Sequence, residues 1–207
     1  VDSNVINGAM INITKKNPKF TDTASSAVVC GNLAMIIKNL IIVGIFSIFA
    51  LKYLVLPSVA MLAVGGFFIY LSLKKGMGMK KSEFKLENPF EIKTAVQFAI
   101  ATVIITVIAY FAQLYFGTTG LFLTAALGSL VTDIGVIASA MMLFSGGSIA
   151  LTSMAIMVMI NSFVSSLNDG VLQFMTGGKG LSIAFFKKAI PIVAIGIAVL
   201  LIQFIFF

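Results

Sequence analysis

Residues 94–116 read TAVQFAIATVIITVIAYFAQLYF, a stretch that contains no charged side chain. A transmembrane helix needs roughly 20 predominantly apolar residues to cross the hydrocarbon core of a bilayer. A strand of a membrane barrel would alternate apolar and polar residues over about 10 positions. The stretch therefore predicts a membrane-spanning helix, and with it an all-α, polytopic transmembrane helix bundle.

The composition of the whole chain agrees with this prediction. Of the 207 residues, 59% are hydrophobic and only 10% are charged, whereas a soluble domain is about 25% charged. The net charge is +7 and every basic residue is a lysine. Lysines of membrane proteins collect in cytoplasmic loops, and bidentate phosphate recognition needs arginine. We therefore expect the lipid bilayer as a partner, and no nucleic acid.

Apolar windows on both sides of residues 94–116 predict about six spans and an N-terminal partial span. The partial span covers residues 1–13, and the spans are 23–49, 53–73, 94–116, 121–144, 149–175 and 184–207. Because the chain opens in what reads as the second half of a helix, we expect it to be a piece of a longer protein. Counting lysines on the two sides gives nine against four. This count places loop 74–93 and the C-terminus in the cytoplasm of a multi-pass protein of the plasma or inner membrane.

Polar residues indicate a parallel internal repeat between a first half, residues 1–73, and a second half, residues 94–207, joined by the basic loop 74–93. In nearly one register, Asp2 aligns with Asp133, Asn32 with Asn161, and Asn39 with Asn168. The predicted number of spans between the copies is even, so both would cross the membrane in the same direction. In transporters built from such repeats, the site lies near the bilayer midplane at the repeat interface.

Several motifs also resemble a known family. ENPFE at Glu87–Glu91 precedes a span, Gly117–Gly120 leads into LFLTAALGSL at Leu121–Leu130, and an aspartate and an Asn-containing helix follow. Together they resemble the membrane domain of unknown function found C-terminal to MgtC/SapB-type membrane proteins. The resemblance covers nearly the whole chain. It implies a membrane fold and, more weakly, magnesium, since family members carry a denser acidic cluster than Val131–Gly135 does.

Polar side chains at membrane depth are the candidates for function, because a charge there costs at least roughly 2.5–3.5 kcal/mol and usually faces the bundle interior. Carboxylate, hydroxyl and amide oxygens suit hard cations such as Mg²⁺. The alternative role of the neutral residues is hydrogen bonding between helices. The candidates for a cation-binding site or pathway are Asp133, Asp2, Asn161, Asn32, Thr132 and Ser129.

Two further charged residues, Lys38 and Asp169, lie at nearly equivalent points of the two repeat copies. We expect one of two arrangements. Either the two side chains form a buried ion pair with each other, or Asp169 reaches water near the end of its span and Lys38 extends to the membrane interface. The small residues Gly31 and Gly135 are predicted to permit close helix packing.

The rest of the composition limits which functions are possible. With no histidine and one cysteine, soft-metal sites such as zinc are nearly excluded, and no nucleophile–base pair indicates an enzyme. We expect no catalytic residue and no cofactor, with a divalent cation only as a substrate. Two functions stay open. One is a small-cation transporter or channel, for Mg²⁺ or coupled to protons. The other is a non-transporting scaffold or regulatory subunit that packs as a homo-oligomer or against another membrane protein.

Overall fold

A computed structural model describes residues 3–74, 92–176 and 178–206, and all their regular structure is helical. This confirms the all-α prediction. Asp2 and residues 75–91 of the basic loop, with the ENPFE motif, lie outside the described residues. The helices are α1 Ser3–Lys16, α2 Thr21–Phe46, α3 Leu51–Lys74, α4 Ile92–Ser129, α5 Asp133–Ser145, α6 Leu151–Met175 and α7 Lys179–Phe206, and 3-10 turns at Pro18–Phe20 and Ile48–Ala50 precede α2 and α3.

Five helical stretches of the described chain are long and apolar enough to cross a membrane. By length and composition they are Pro18–Phe46, Ile48–Lys74, Val103–Ser129, Leu151–Met175 and Lys179–Phe206. The third contains Gly117, which is not helical, so the part of α4 that can cross is the arm before it, residues 92–116. Many of their large apolar side chains are exposed, such as Ile45, Phe67 and Ile205. Exposed apolar surface on this scale exceeds what a soluble monomer presents to water, so these helices indicate an integral membrane protein.

The chain forms two compact units. Unit 1 comprises residues 1–37, 56–89 and 166–207, and unit 2 comprises residues 38–55 and 90–165. Helices α2, α3 and α6 therefore contribute residues to both units.

In unit 2, α4 reverses direction at Gly117, whose φ of 60° and ψ of −147° are not helical. A Cβ on Gly120 would lie 2.3 Å from the carbonyl oxygen of Ala112. Residues eight positions apart in a straight helix would be separated by about 12 Å, so the second arm, residues 118–129, folds back along the first. Only glycine readily adopts the backbone angles of Gly117, which agrees with the turn predicted at Gly117–Gly120.

The second arm of α4 and α5 form a helical hairpin, residues 118–145, which enters and leaves at the same end of the unit. A Cβ on Gly128 would lie 2.8 Å from Val136 Cγ2, so α5 turns back along the arm. Gln113 Nε2, near the end of the first arm, donates to the Ser148 carbonyl over 2.5 Å. Each hairpin arm rises only about 20 Å, less than the roughly 30 Å of the hydrocarbon core. By length, neither arm could cross the bilayer alone, and this is the geometry of a re-entrant hairpin.

This geometry corrects the predicted span at residues 121–144. The apolar run is long enough for one crossing, but residues 130–132 interrupt the helix and the chain doubles back. The sequence-based reading missed the break because Leu130 and Val131 are apolar and the interruption holds neither glycine nor proline.

The two predicted halves contain helices of similar lengths. Helices α1, α2 and α3 contain 14, 26 and 24 residues, and α5, α6 and α7 contain 13, 25 and 28. Helix α2 begins at the end of unit 1 where α6 finishes, because Lys15, at the end of α1, donates to the Thr176 carbonyl. Helices α2 and α6 therefore run in opposite directions, whereas the sequence analysis expected both copies to cross the membrane in the same direction. The repeat itself stays a prediction.

In unit 1, hydrogen bonds gather several helix ends at one end of the unit. Lys15 Nζ donates to the Thr176 carbonyl over 2.9 Å, which joins the ends of α1 and α6. Ser26 Oγ and Ser72 Oγ, 2.7 Å apart, join the beginning of α2 to the end of α3. Lys188 of α7 bonds to both serines. Helices α2 and α7 therefore begin where α3 and α6 finish. The lysine count had placed Lys188 at the opposite end from Lys15, because it treated residues 121–144 as a crossing.

We predict that Gly120→Ala destabilises the protein by about 1–3 kcal/mol, because its methyl group would collide with rigid backbone at Ala112. Thermal unfolding of the detergent-solubilised protein measures the effect. Gly66→Ala is the matched control, since no atom lies within 4 Å of a Cβ there, and alanine should be neutral or stabilising in that helix. Equal stability of the two variants would contradict the chain reversal at Gly117.

Candidate ion site

The candidate site lies at the tip of the hairpin in unit 2, where α5 begins. Asp133 is the first residue of α5, and Thr132 is its N-cap, with Thr132 Oγ1 accepting from the Gly135 N–H over 3.2 Å. A helix N-terminus carries a partial positive charge that stabilises an anionic side chain. The break in the helix therefore creates a favourable position for the carboxylate.

Three side chains donate hydrogen bonds to the Asp133 carboxylate. Lys38 Nζ lies 2.6 Å from Oδ2 in a salt bridge. Asn161 Nδ2 and Asn39 Nδ2 both donate to Oδ1, the latter over 3.4 Å. The side chain of Asp133 is 12% exposed and that of Lys38 is 32% exposed. The carboxylate is therefore shielded, whereas the lysine side chain is partly exposed at the protein surface.

Asn161 is held in the orientation that presents its NH₂ group to Asp133. The Ser129 hydroxyl lies 2.8 Å from Asn161 Oδ1, and because a carbonyl oxygen can only accept, this contact assigns the other end of the amide as the donor. Asn161 is fully buried near the middle of α6. The carboxylate is therefore held about halfway along a helix long enough to cross the bilayer.

Asn39 belongs to the site, although the sequence predicted it only as a repeat position. Its Nδ2 also lies 3.3 Å from Ser162 Oγ. Its Oδ1 is buried and has no hydrogen-bond partner among the described residues. The signal in the sequence that could have found Asn39 was its position next to Lys38. A buried acceptor without a donor is uncommon in folded proteins, and here it stands beside an ion pair.

The predicted pair between Lys38 and Asp169 is replaced by two separate arrangements. In unit 2, Lys38 pairs with Asp133. In unit 1, Asp169 Oδ1 accepts from Asn7 Nδ2 over 2.6 Å, and Asp169 is only 2% exposed rather than open to water. Sequence alignment of the repeat copies does not reveal partners, because partner choice depends on which faces of the helices meet.

The structure places the other predicted residues as follows. Thr132, Ser129 and Asn161 come together with Asp133 in unit 2. Asn32 belongs to unit 1, where its Nδ2 lies 3.4 Å from the Ser166 carbonyl and its buried Oδ1 lacks a partner. Asp2 lies outside the described residues. Of the packing glycines, Gly31 faces Ile6, whose Cδ1 would be 2.9 Å from an added Cβ, and Gly135 is buried in α5.

A buried lysine in unit 1, Lys188, was missed by the sequence analysis, which used it only to count lysines on the two sides of the membrane. Lys188 Nζ lies 2.9 Å from Asp22 Oδ1 and 2.7–2.8 Å from the hydroxyls of Ser25 and Ser26. It also lies 3.2 Å from Ser72 Oγ. The predicted span 184–207 already contained Lys188, and in the structure the helix around it, α7, begins at Lys179. Through these contacts the Lys188 ammonium joins α2, α3 and α7.

The fold and the site together define a class of protein. The chain is a helical, multi-pass integral membrane protein in which a re-entrant hairpin carries a carboxylate to the middle of a long helix.

The family is shown by the comparison with known families. The model of the domain of unknown function DUF4010 matches residues 1–177, which is most of the chain, so the chain belongs to that family. Neither a curated protein nor a solved structure matches it.

We predict that Lys38→Met destabilises the protein by about 1–3 kcal/mol, because it leaves the shielded Asp133 carboxylate without its counter-charge. Fully buried pairs lose about 3–5 kcal/mol, and the partial exposure of Lys38 reduces that loss. The double variant Lys38→Met/Asp133→Asn should recover most of it in thermal unfolding. Exposed Lys187→Met is the control and should change stability by less than about 0.5 kcal/mol. If the stability lost by the double variant equals the sum of the losses of Lys38→Met and Asp133→Asn measured singly, the two residues do not form a stabilising pair.

Proposed function

We propose that this protein transports a small cation, with Asp133 as the residue that binds the ion and Lys38 as a tethered cation that occupies the carboxylate between transport events. The observation that carries the proposal is the Lys38–Asp133 ion pair at the tip of the hairpin. Ionisable residues inside membrane helices are rare and mark ion pathways and proton relays. Broken helices in transporters likewise position the groups that bind substrate and coupling ions.

The charge balance of the site supports exchange. When Lys38 is paired with Asp133, the negative charge of the carboxylate and the positive charge of the ammonium cancel. When a cation or a proton reaches Asp133, the neutral state is kept only if the ammonium withdraws. Lys38 is partly exposed and its long side chain can turn toward water. Arrival of one positive charge is therefore coupled to the departure of another within the same site.

Neutral oxygens beside Asp133 supply the rest of a cation's ligands. The unpartnered Asn39 Oδ1 is one such oxygen, and the Ser129 and Thr132 hydroxyls lie at the same tip. One-for-one replacement of an ammonium favours a monovalent cation or a proton. Mg²⁺ carries an additional charge, and within the described residues no group of three acidic, His or Cys side chains could hold it. A link to MgtC/SapB-type proteins and to magnesium is proposed from the resemblance alone.

We predict that the protein in proteoliposomes carries a cation flux that Asp133→Asn abolishes, because an amide cannot replace the lost charge. Dyes sensitive to pH, Na⁺, K⁺ and Mg²⁺ measure the flux in separate assays. Lys187→Gln, an exposed lysine remote from α5 in sequence, serves as the control and should retain the flux. Normal flux through Asp133→Asn would remove Asp133 from the mechanism.

The second candidate function, a membrane scaffold or subunit, is an outcome of the same experiment. Absence of flux for every cation and for a pH gradient, from protein that is monodisperse and folded, would favour it. The polar residues at the hairpin tip would then serve only to satisfy the ends of the two short helices, and a partner protein should be sought by crosslinking in native membranes.

We further propose that the lysine-rich end of unit 1 faces the cytoplasm and that the C-terminus lies on the other side of the membrane. Lysines at or near this end include Lys15, Lys16, Lys19, Lys74, Lys179 and Lys187. Lysines favour the cytoplasmic side, and anionic lipid headgroups would attract them there. Helix α7 runs away from this end for 28 residues. The C-terminus thereby differs from the sequence-based expectation.

We predict that alkaline phosphatase, which is active only outside the cytoplasm, is active when fused after Phe207 and inactive when inserted after Lys80. If residues 118–145 form a re-entrant hairpin, the chain crosses the membrane an odd number of times between these two positions, which places them on opposite sides. Green fluorescent protein at the same positions should give the reciprocal result. Cytoplasmic placement of both fusions would restore residues 121–144 as a full span and overturn the hairpin.

A further inference from the structure

A second buried polar cluster lies in unit 1, formed by Asn7 of α1 with Asp169 and Gln173 of α6. The three residues are 3%, 2% and 0% exposed. Asn7 Nδ2 donates to Asp169 Oδ1 over 2.6 Å, and Gln173 Nε2 donates to Asn7 Oδ1 over 2.7 Å. The cluster shares no residue with the Asp133 site, and the function proposed above makes no use of it.

The hydrogen bond from Asn7 does not by itself require an acid at position 169. An asparagine there would accept the same hydrogen bond from Asn7 through its own Oδ1, and it would carry no charge into a buried position. A buried carboxylate is a group that a bound cation would stabilise.

The amide oxygen of Gln173 is an acceptor that no described residue uses. Gln173 Oε1 is buried and has no hydrogen-bond partner within the described residues, while Gln173 Nε2 donates to Asn7. Asp169 and Gln173 are four residues apart on α6, so their side chains lie on one face of the helix, one turn apart. Carboxylate and amide oxygens are the ligands that hard cations prefer.

We propose that Asp169 and Gln173 Oε1 bind a dehydrated monovalent cation of the alkali-metal type, at a site distinct from Asp133. Asn7 is the positioning residue, because its amide fixes one oxygen of Asp169 and the NH₂ group of Gln173. Binding at this site stands on the cluster itself. Its role as the place of a coupling ion rests on the proposed transport function.

The test is ion-dependent stability in detergent, with Na⁺ as the probe and choline chloride holding the ionic strength constant. A ligand that binds only the folded state raises the unfolding temperature in a saturable manner. All measurements use the full chain carrying Asp133→Asn, so that ion binding at the Asp133 site does not contribute to the response. We expect Na⁺ to raise the unfolding temperature of this variant.

Two additional substitutions assign the effect. Asp169→Asn keeps the hydrogen bond to Asn7, so the protein should fold, and it should lose the Na⁺ response. Gln173→Met keeps the side-chain volume and should need at least about tenfold more Na⁺ for the same response. Lys187→Gln is the control and should leave the response intact. Absence of a Na⁺ response in the Asp133→Asn protein, or a response that survives Asp169→Asn, would overturn the site.

These results are separable from the flux experiment. A Na⁺ response that depends on Asp169, in a protein that shows no flux, would uphold the site and refute transport. Flux that depends on Asp133, without any Na⁺ response at Asp169, would uphold transport and refute this second site.

Discussion

The bilayer core offers no water to a backbone that stops being helical, and the hairpin in unit 2 is arranged around this constraint. Where the second arm of α4 ends and α5 begins, the Thr132 hydroxyl caps an α5 N–H. Ser165 Oγ lies 3.5 Å from the Ser129 carbonyl. Irregular backbone at membrane depth is tolerated only where protein or a water-filled cavity surrounds it. The same positive helix end that must be satisfied also stabilises the Asp133 carboxylate.

Each unit pairs a lysine with one carboxylate, but the surroundings of the two pairs differ. In unit 2, Lys38 meets Asp133, whose remaining donors are amide groups. In unit 1, the Lys188 ammonium is enclosed by serine hydroxyls and Asp22, and the Asp22 side chain is 54% exposed. Hydroxyl groups satisfy an ammonium without competing for the carboxylate. The Lys188 cluster therefore suits a fixed junction of helices, whereas the Lys38–Asp133 pair suits exchange.

Asp133 illustrates how a site prediction can identify the residue and miss its setting. The sequence indicated a functional aspartate beside Thr132 and Ser129, with Asn161 on the next helix, and the structure joins all four. Nothing in the sequence indicated that Asp133 begins a helix, because the break occurs in the apolar residues Leu130 and Val131. Lys188 was missed for the related reason that a lysine near the start of a span resembles a loop lysine.

The sequence by itself determined the all-α class, the membrane environment and the approximate ends of most spans, because burial in lipid demands long uncharged helices whatever their neighbours are. It also identified Lys38, Asp133 and Asp169 as charged side chains that need a partner, although not Lys188. Only the tertiary structure decided the partners and the chain reversal. Lys38 meets Asp133 and Asn7 meets Asp169 because particular helix faces pack together. The hairpin turns back inside one apolar run because close packing at Gly120 and Gly128 favours two short antiparallel arms over a single crossing.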